Sequence, residues 1–119
     1  MTALLVVLGG ALGAVCRHLV TVLLRGRLGA TTAGAVLAVN ASGSFLLGLV
    51  AGQATGAAPD WLLPLVGVGF CGAYTTFATH AVEVVSAARA GRTRHALADL
   101  LLNLVLGVLL VSLGYSITT

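Results

Sequence analysis

The stretch ALADLLLNLVLGVLLVSLGYS, residues 96–116, is long enough and apolar enough to cross a lipid bilayer as one helix. A helix needs about 20 mostly apolar residues to span the hydrocarbon core. Three more stretches meet the same criterion, at residues 2–24, 33–53 and 62–87. The sequence therefore predicts an all-α membrane protein, with four transmembrane helices in a single domain over residues 1–119.

The composition agrees with lipid as the solvent for this chain. Hydrophobic residues make up 59% of the 119 positions, charged residues only 8%, and the mean hydropathy is +1.11. A soluble domain carries about 25% charged residues, and so short a chain cannot hide this much apolar surface from water. The pI near 9.5 comes from arginines in short gaps between apolar runs. Such flanking charge indicates membrane topology, not a nucleic-acid partner.

The charge of the connecting segments differs between the two sides of the membrane. Segments 25–32 and 88–95 lie on the same side and contain five arginines: Arg25, Arg27, Arg89, Arg92 and Arg94. The other side holds both termini and segment 53–61, without lysine or arginine. By the positive-inside rule, we expect the first and third loops in the cytoplasm and both termini outside the cell membrane.

Glycine and polar residues recur within the predicted spans. The chain has 16 glycines, and small residues let helices approach closely in lipid. Four thin helices are too few to enclose a pathway, so we expect a dimer. Polar groups at membrane depth are rare and usually functional. Asn40 either bonds another helix or lines an ion path, and Arg17 either anchors the helix at the interface, attracts an anion or pins neighbouring backbone. Asp99, Asn103 and Gly107 recur every four residues, so they share one face.

The third span contains GVGFCGAYTTFATH, residues 67–80, in its middle. Glycine and β-branched threonine are poor helix formers, so we expect either a break or a simple kink here. A break would free backbone carbonyls, which lipid forbids unless protein, water or an ion satisfies them. Carbonyls from two such breaks, meeting at a dimer axis, could hold a cation.

These segments together resemble the CrcB/Fluc family of small fluoride channels. Gly9–Arg17 is similar to the first-helix signature of that family and Asn40–Gly48 to the second. Gly69–Thr79 is similar to its Gly-x-x-Gly-x-x-Thr-Thr-Phe break in the third helix. The resemblance covers nearly the whole chain. It implies an antiparallel dimer with two fluoride pathways and a central structural sodium ion, which exports fluoride passively down its gradient and protects the cell from fluoride toxicity.

Carried over by motif, the resemblance implies roles for individual residues. The backbone carbonyls of Gly72 and Thr75 would bind sodium, Asn40 would donate to fluoride, and Phe77 would turn its ring edge toward the ion. The other residues expected along the ion path are Thr76, His80, Asn103 and Arg17. Fluoride is strongly hydrated, so a pore must replace its water with donors that still release it. Amide and hydroxyl groups and the positive edge of an aromatic ring can do this.

Two features depart from a symmetric homodimer of that family. His80 stands where a second phenylalanine is usual, and Ala78 stands where serine is usual. A histidine here would introduce pH dependence. In addition, an antiparallel homodimer requires one sequence to insert both ways, whereas the loop charge here favours one orientation. We therefore hypothesise that the chain is half of a heterodimer with an oppositely oriented homologous subunit.

Other functional classes fit the sequence less well. A small multidrug or cation exporter also has four short helices, but it would need a carboxylate in the first helix, where this chain has Arg17 and no acid. A non-transporting scaffold would not explain why Asn40 and the polar segment 75–77 occur within the spans. The residues Cys71, His80 and Glu83 have no nucleophile–base spacing typical of an enzyme.

Overall fold

The computed structural model describes all residues of the chain, 1–119, and consists of helices without strands. The elements are α1 (Thr2–Arg27), α2 (Thr32–Gln53), a π-helix (Leu63–Cys71), α3 (Gly72–Tyr74), α4 (Phe77–Arg89) and α5 (Thr93–Thr118). The π-helix, α3 and α4 together form the third apolar span, Leu63–Arg89. The first and last helices are longer than the sequence predicts, since α1 continues to Arg27 and α5 begins at Thr93.

The outer surface of the bundle is apolar. Only 15 of the 119 residues are buried, and in the most apolar window of α5 only 6% are. Leucines and valines face outward along α1 and α5. An apolar surface of this extent is unfavourable in contact with water. With four helices long and apolar enough to cross a bilayer, the chain is a multi-pass membrane protein.

Glycines bring two helix pairs into backbone contact. A Cβ atom on Gly13 of α1 would collide with the carbonyl group of Phe70 in the π-helix. In the pair α2–α5, a Cβ atom on Gly48 would meet the backbone of Val111 and Tyr115. Gly52 and Gly114 have the same relation to the facing helix. This confirms the close helix packing that the glycine pattern predicts, since small residues replace the hydrophobic effect as the basis of helix association in lipid.

The third span has an irregular backbone. Pro64 lies in the first turn of the π-helix, where its missing N–H is tolerated. α3 ends at Tyr74 and α4 begins at Phe77, and both intervening residues, Thr75 and Thr76, have extended backbone angles. The whole span bends by 23°. Its two halves therefore keep nearly the same direction, while the helical hydrogen-bond pattern changes between them.

Candidate functional site

The connection between α3 and α4 leaves the carbonyl groups of residues 72–75 without the backbone donors they would have in a continuous helix. In a continuous helix, the Thr76 N–H would donate to the Gly72 carbonyl and the Thr79 N–H to the Thr75 carbonyl. Here the Thr76 N–H donates to Asn40 Oδ1 at 2.8 Å, and the Thr79 N–H donates to Thr76 Oγ1 at 3.3 Å. Thr76 thus acts as the N-cap of α4. The carbonyls of Gly72 and Thr75 are the two that these donors no longer reach.

Asn40 satisfies the backbone at this connection. Its Oδ1 atom accepts from the Thr76 N–H, and its Nδ2 atom donates to the Thr76 carbonyl at 3.2 Å. The side-chain amide therefore pairs with one residue of the irregular segment as a neighbouring strand would. Its second N–H donates to Asn103 Oδ1 at 3.3 Å. Both amide protons of Asn40 consequently have acceptors within the chain.

Arg17 also contacts the irregular segment, because its Nη1 atom donates to the Thr75 carbonyl at 3.3 Å. Of the roles that the sequence leaves open, the geometry matches the arginine that pins neighbouring backbone. A carbonyl oxygen has two lone pairs, so Thr75 keeps one for another partner. Gly72 is exposed, and no atom lies within 4 Å of the position of a Cβ atom on it. Carbonyls of unwound helices are the ligands that sodium takes in membrane proteins, so this donor set fits sodium.

A cavity of about 630 Å³ opens beside the irregular segment. We call it the central cavity. It brings together seven of the residues that the sequence singles out: Asn40, Gly72, Thr75, Thr76, Phe77, His80 and Asn103. Arg17 does not line it. Phe77 lies at its edge with 81% of its surface exposed, so this chain alone covers little of the ring.

A chain of polar contacts leads away from the central cavity toward the start of α5. Asn103 Nδ2 donates to Asp99 Oδ1 at 3.3 Å and to the Asp99 carbonyl at 3.2 Å. The other carboxylate oxygen, Oδ2, lies 3.5 Å from His80 Nδ1. This separation is within ion-pair range, but no hydrogen bond forms, so the buried Nδ1 atom has no hydrogen-bond partner. His80, Asp99, Asn103 and Asn40 thus connect α4, α5 and α2.

Three residues at the site were not among the candidates from the sequence. Ser44 and Cys71 line the central cavity, and Asp99 contacts His80. Ser44 lies four residues after Asn40, and this helical spacing could have identified it. Asp99 was placed on the face of Asn103 but not paired with His80. The pair could have been proposed because a histidine and a carboxylate occur in neighbouring spans, where titratable residues are rare.

The contact between Arg17 and Thr75 predicts a stability effect. We expect Arg17→Gln to lower the free energy of unfolding by about 1.5–3 kcal/mol, the typical contribution of a hydrogen bond from a charged donor. Reversible unfolding in mixed micelles, followed by circular dichroism, measures this difference. Arg25→Gln is the matched control, because Arg25 is exposed in the last turn of α1 and should contribute less than about 1 kcal/mol. Equal effects of the two substitutions would contradict the assigned contact.

Comparison with known proteins identifies the family. The family model described as CrcB-like protein, Camphor Resistance (CrcB), matches residues 4–115. A protein of Shewanella denitrificans named fluoride-specific ion channel FluC is 40% identical over 117 residues, which cover 96% of this chain and 94% of that protein. A protein of Shewanella woodyi with the same name is 38% identical over 113 residues, covering 93% of this chain and 90% of its own length. The match extends across all four spans, and the chain belongs to the CrcB family.

Proposed function

We propose that this chain is a subunit of a fluoride-selective channel that exports fluoride passively, down its electrochemical gradient, and so protects the cell from fluoride toxicity. The observation that carries the proposal is the central cavity, where Asn40, Thr76 and Phe77 gather at an irregular segment within the membrane span. Two relatives named fluoride-specific ion channels support it.

The cavity supplies groups that suit a small hydrated anion. Phe77 and Ser44 both line it, and a ring edge and a hydroxyl group are positive or donating groups that an anion can approach. Asn40 contributes as a donor if fluoride replaces one of its acceptors. Its two Nδ2 bonds are 3.2 and 3.3 Å long, at the weak end of the usual range. Weak internal bonds favour exchange with a passing ion, and conduction requires binding that also permits release.

A sodium ion would be held by the carbonyls of Gly72 and Thr75. Two carbonyls do not complete the coordination shell of sodium, so water or a second subunit would supply the rest. The ion would supply fixed positive charge at the dimer axis. Arg17 competes for Thr75, because it already donates to that carbonyl. The chain's own contribution is to release these carbonyls from the helix, which Asn40 and Thr76 do by accepting the N–H groups of Thr76 and Thr79.

The assembly would be an antiparallel dimer, because one chain leaves Phe77 largely uncovered and the carbonyl set incomplete. The loop arginines favour one orientation, with the first and third loops in the cytoplasm and the termini outside. We therefore propose a heterodimer with a homologous subunit inserted the opposite way.

The proposal predicts rapid fluoride efflux from liposomes that contain this chain with a homologous subunit of the opposite orientation, and little efflux from liposomes with this chain alone. A fluoride electrode measures the release, and chloride-loaded liposomes provide the matched anion control. Rapid efflux from the chain alone would keep the channel and reject the heterodimer. Equal release of chloride and fluoride would reject the selectivity. No fluoride release from folded protein with or without the partner would reject the proposed function.

A further inference from the structure

A second cavity, of about 550 Å³, lies between the start of α2, the end of α4 and the start of α5. We call it the loop-side cavity, because Thr31 and Arg92 in the first and third loops line it. Asp99 also lines the loop-side cavity, whereas His80 and Asn103 line the central cavity. Asp99 contacts both of these residues. These contacts connect the lining of one cavity with that of the other, and we call the three side chains of His80, Asp99 and Asn103 the partition.

The chemistry of this partition is unfavourable for an anion when His80 is neutral. An ionised Asp99 then has no cation within ion-pair distance, since Asn103 donates to it but brings no charge. A like charge next to the path repels fluoride, and a poorly hydrated site strengthens the repulsion. Only 7% of the His80 side chain is exposed. Its Nδ1 atom lies 3.5 Å from the Asp99 carboxylate and forms no hydrogen bond.

We infer that the His80–Asp99 pair is a proton-dependent gate between the two cavities, which admits fluoride when His80 is protonated and blocks it when His80 is neutral. When both ring nitrogens of His80 carry protons, the Nδ1–H can donate to Asp99 Oδ2, and the charge of the ring cancels that of the carboxylate. The pair changes from a net negative charge to neutrality. Histidine is the side chain that most readily undergoes this change between about pH 5 and 8. The inference rests on the proposed fluoride conduction and adds its regulation.

Other titratable groups near the pair are few. α2, which packs against both α4 and α5, contains none. Glu83 of α4 and His95 of α5 both line the loop-side cavity. Arg92, which precedes α5, lines it as well. Cys71 of the π-helix lies across the central cavity. The side chains of these groups form no ion pair or hydrogen bond with His80 or Asp99. Glu83 and His95 therefore provide controls.

The test is fluoride efflux from liposomes containing the active channel, measured at pH 5.5 and 7.5 after subtraction of the leak from protein-free liposomes. For the wild type, we expect efflux to be at least about tenfold faster at pH 5.5. Asp99→Asn removes the blocking charge and keeps the shape, so efflux should be fast at both pH values. His80→Gln leaves the carboxylate without a proton-bearing partner, so efflux should be slow at both.

The two substitutions thus remove the pH dependence in opposite directions, which a general loss of folding would not do. His95→Gln and Glu83→Gln should each keep the wild-type ratio between the two pH values. Fast, pH-independent efflux of the wild type would overturn the gate and leave the proposed function standing. Retention of the wild-type ratio by Asp99→Asn would also overturn it. An absence of wild-type efflux at both pH values would overturn the proposed function and the gate with it.

Discussion

Replacement of Asn40 by alanine is expected to abolish fluoride efflux, with a loss of at least about a hundredfold. The substitution leaves the Thr76 N–H, the Thr76 carbonyl and Asn103 Oδ1 without the partners that Asn40 provides. Unsatisfied polar groups within the membrane are costly, because no water replaces the lost partner. Each buried group left unpaired costs about 1–3 kcal/mol. The irregular segment should then return to a helical hydrogen-bond pattern and withdraw Thr76 from its position.

Ser42→Ala is the matched control for this substitution. Ser42 is also a polar residue of α2, but its hydroxyl donates to the Ala38 carbonyl of its own helix at 2.7 Å, and its one contact outside α2 is with the Tyr74 hydroxyl at 3.0 Å, in an exposed position. We expect efflux within about twofold of the wild type, because such a bond within a helix contributes little to stability. Efflux from purified protein in liposomes gives both values, and size-exclusion chromatography shows whether each variant remains folded. If folded Asn40→Ala conducted at the wild-type rate, Asn40 would be dispensable for the segment and for the ion path.

The second large effect is expected from Gly48→Ala in the helix pair α2–α5. The added Cβ atom would collide with the Val111 carbonyl and would lie 2.9 Å from the Tyr115 nitrogen. Both are backbone atoms within α5, so no flexible side chain can move aside. Overpacking of this kind costs about 1–3 kcal/mol and occasionally more, and a backbone contact belongs at the upper end. We expect the variant to lose the monodisperse peak in size-exclusion chromatography.

Gly107→Ala tests the same interface from a position with space. The nearest heavy atom to its added Cβ atom would be Ser44 Oγ at 3.5 Å, an ordinary van der Waals contact. Alanine also favours a helix over glycine by about 1 kcal/mol. This variant should therefore be as stable as the wild type or more stable, by the midpoint of thermal unfolding in detergent. Similar stability losses at Gly48 and Gly107 would show that glycine is needed at both for a reason other than close backbone approach.

The four spans and the close helix packing could be predicted from the sequence. A membrane span satisfies its backbone hydrogen bonds locally, so its position follows from the apolar run alone. The same locality explains the glycine prediction, because small residues at helical spacing mark a face. The limits of α1 and α5 were less well predicted, since helix ends at the interface are not fixed by hydropathy. The roles of the candidate residues, the sodium site and the dimer remain predictions.

The sequence by itself determined that this chain is a bundle of four membrane helices with polar groups in α2, the third span and α5. Only the tertiary structure decided how those groups pair. Asn40 and Thr76 are 36 positions apart, and Asn40 and Asn103 are 63 apart. No periodicity within one helix specifies such contacts, because they depend on how the helices are rotated and offset against one another. The pairing of His80 with Asp99, which connects the linings of the two cavities, follows from the same packing.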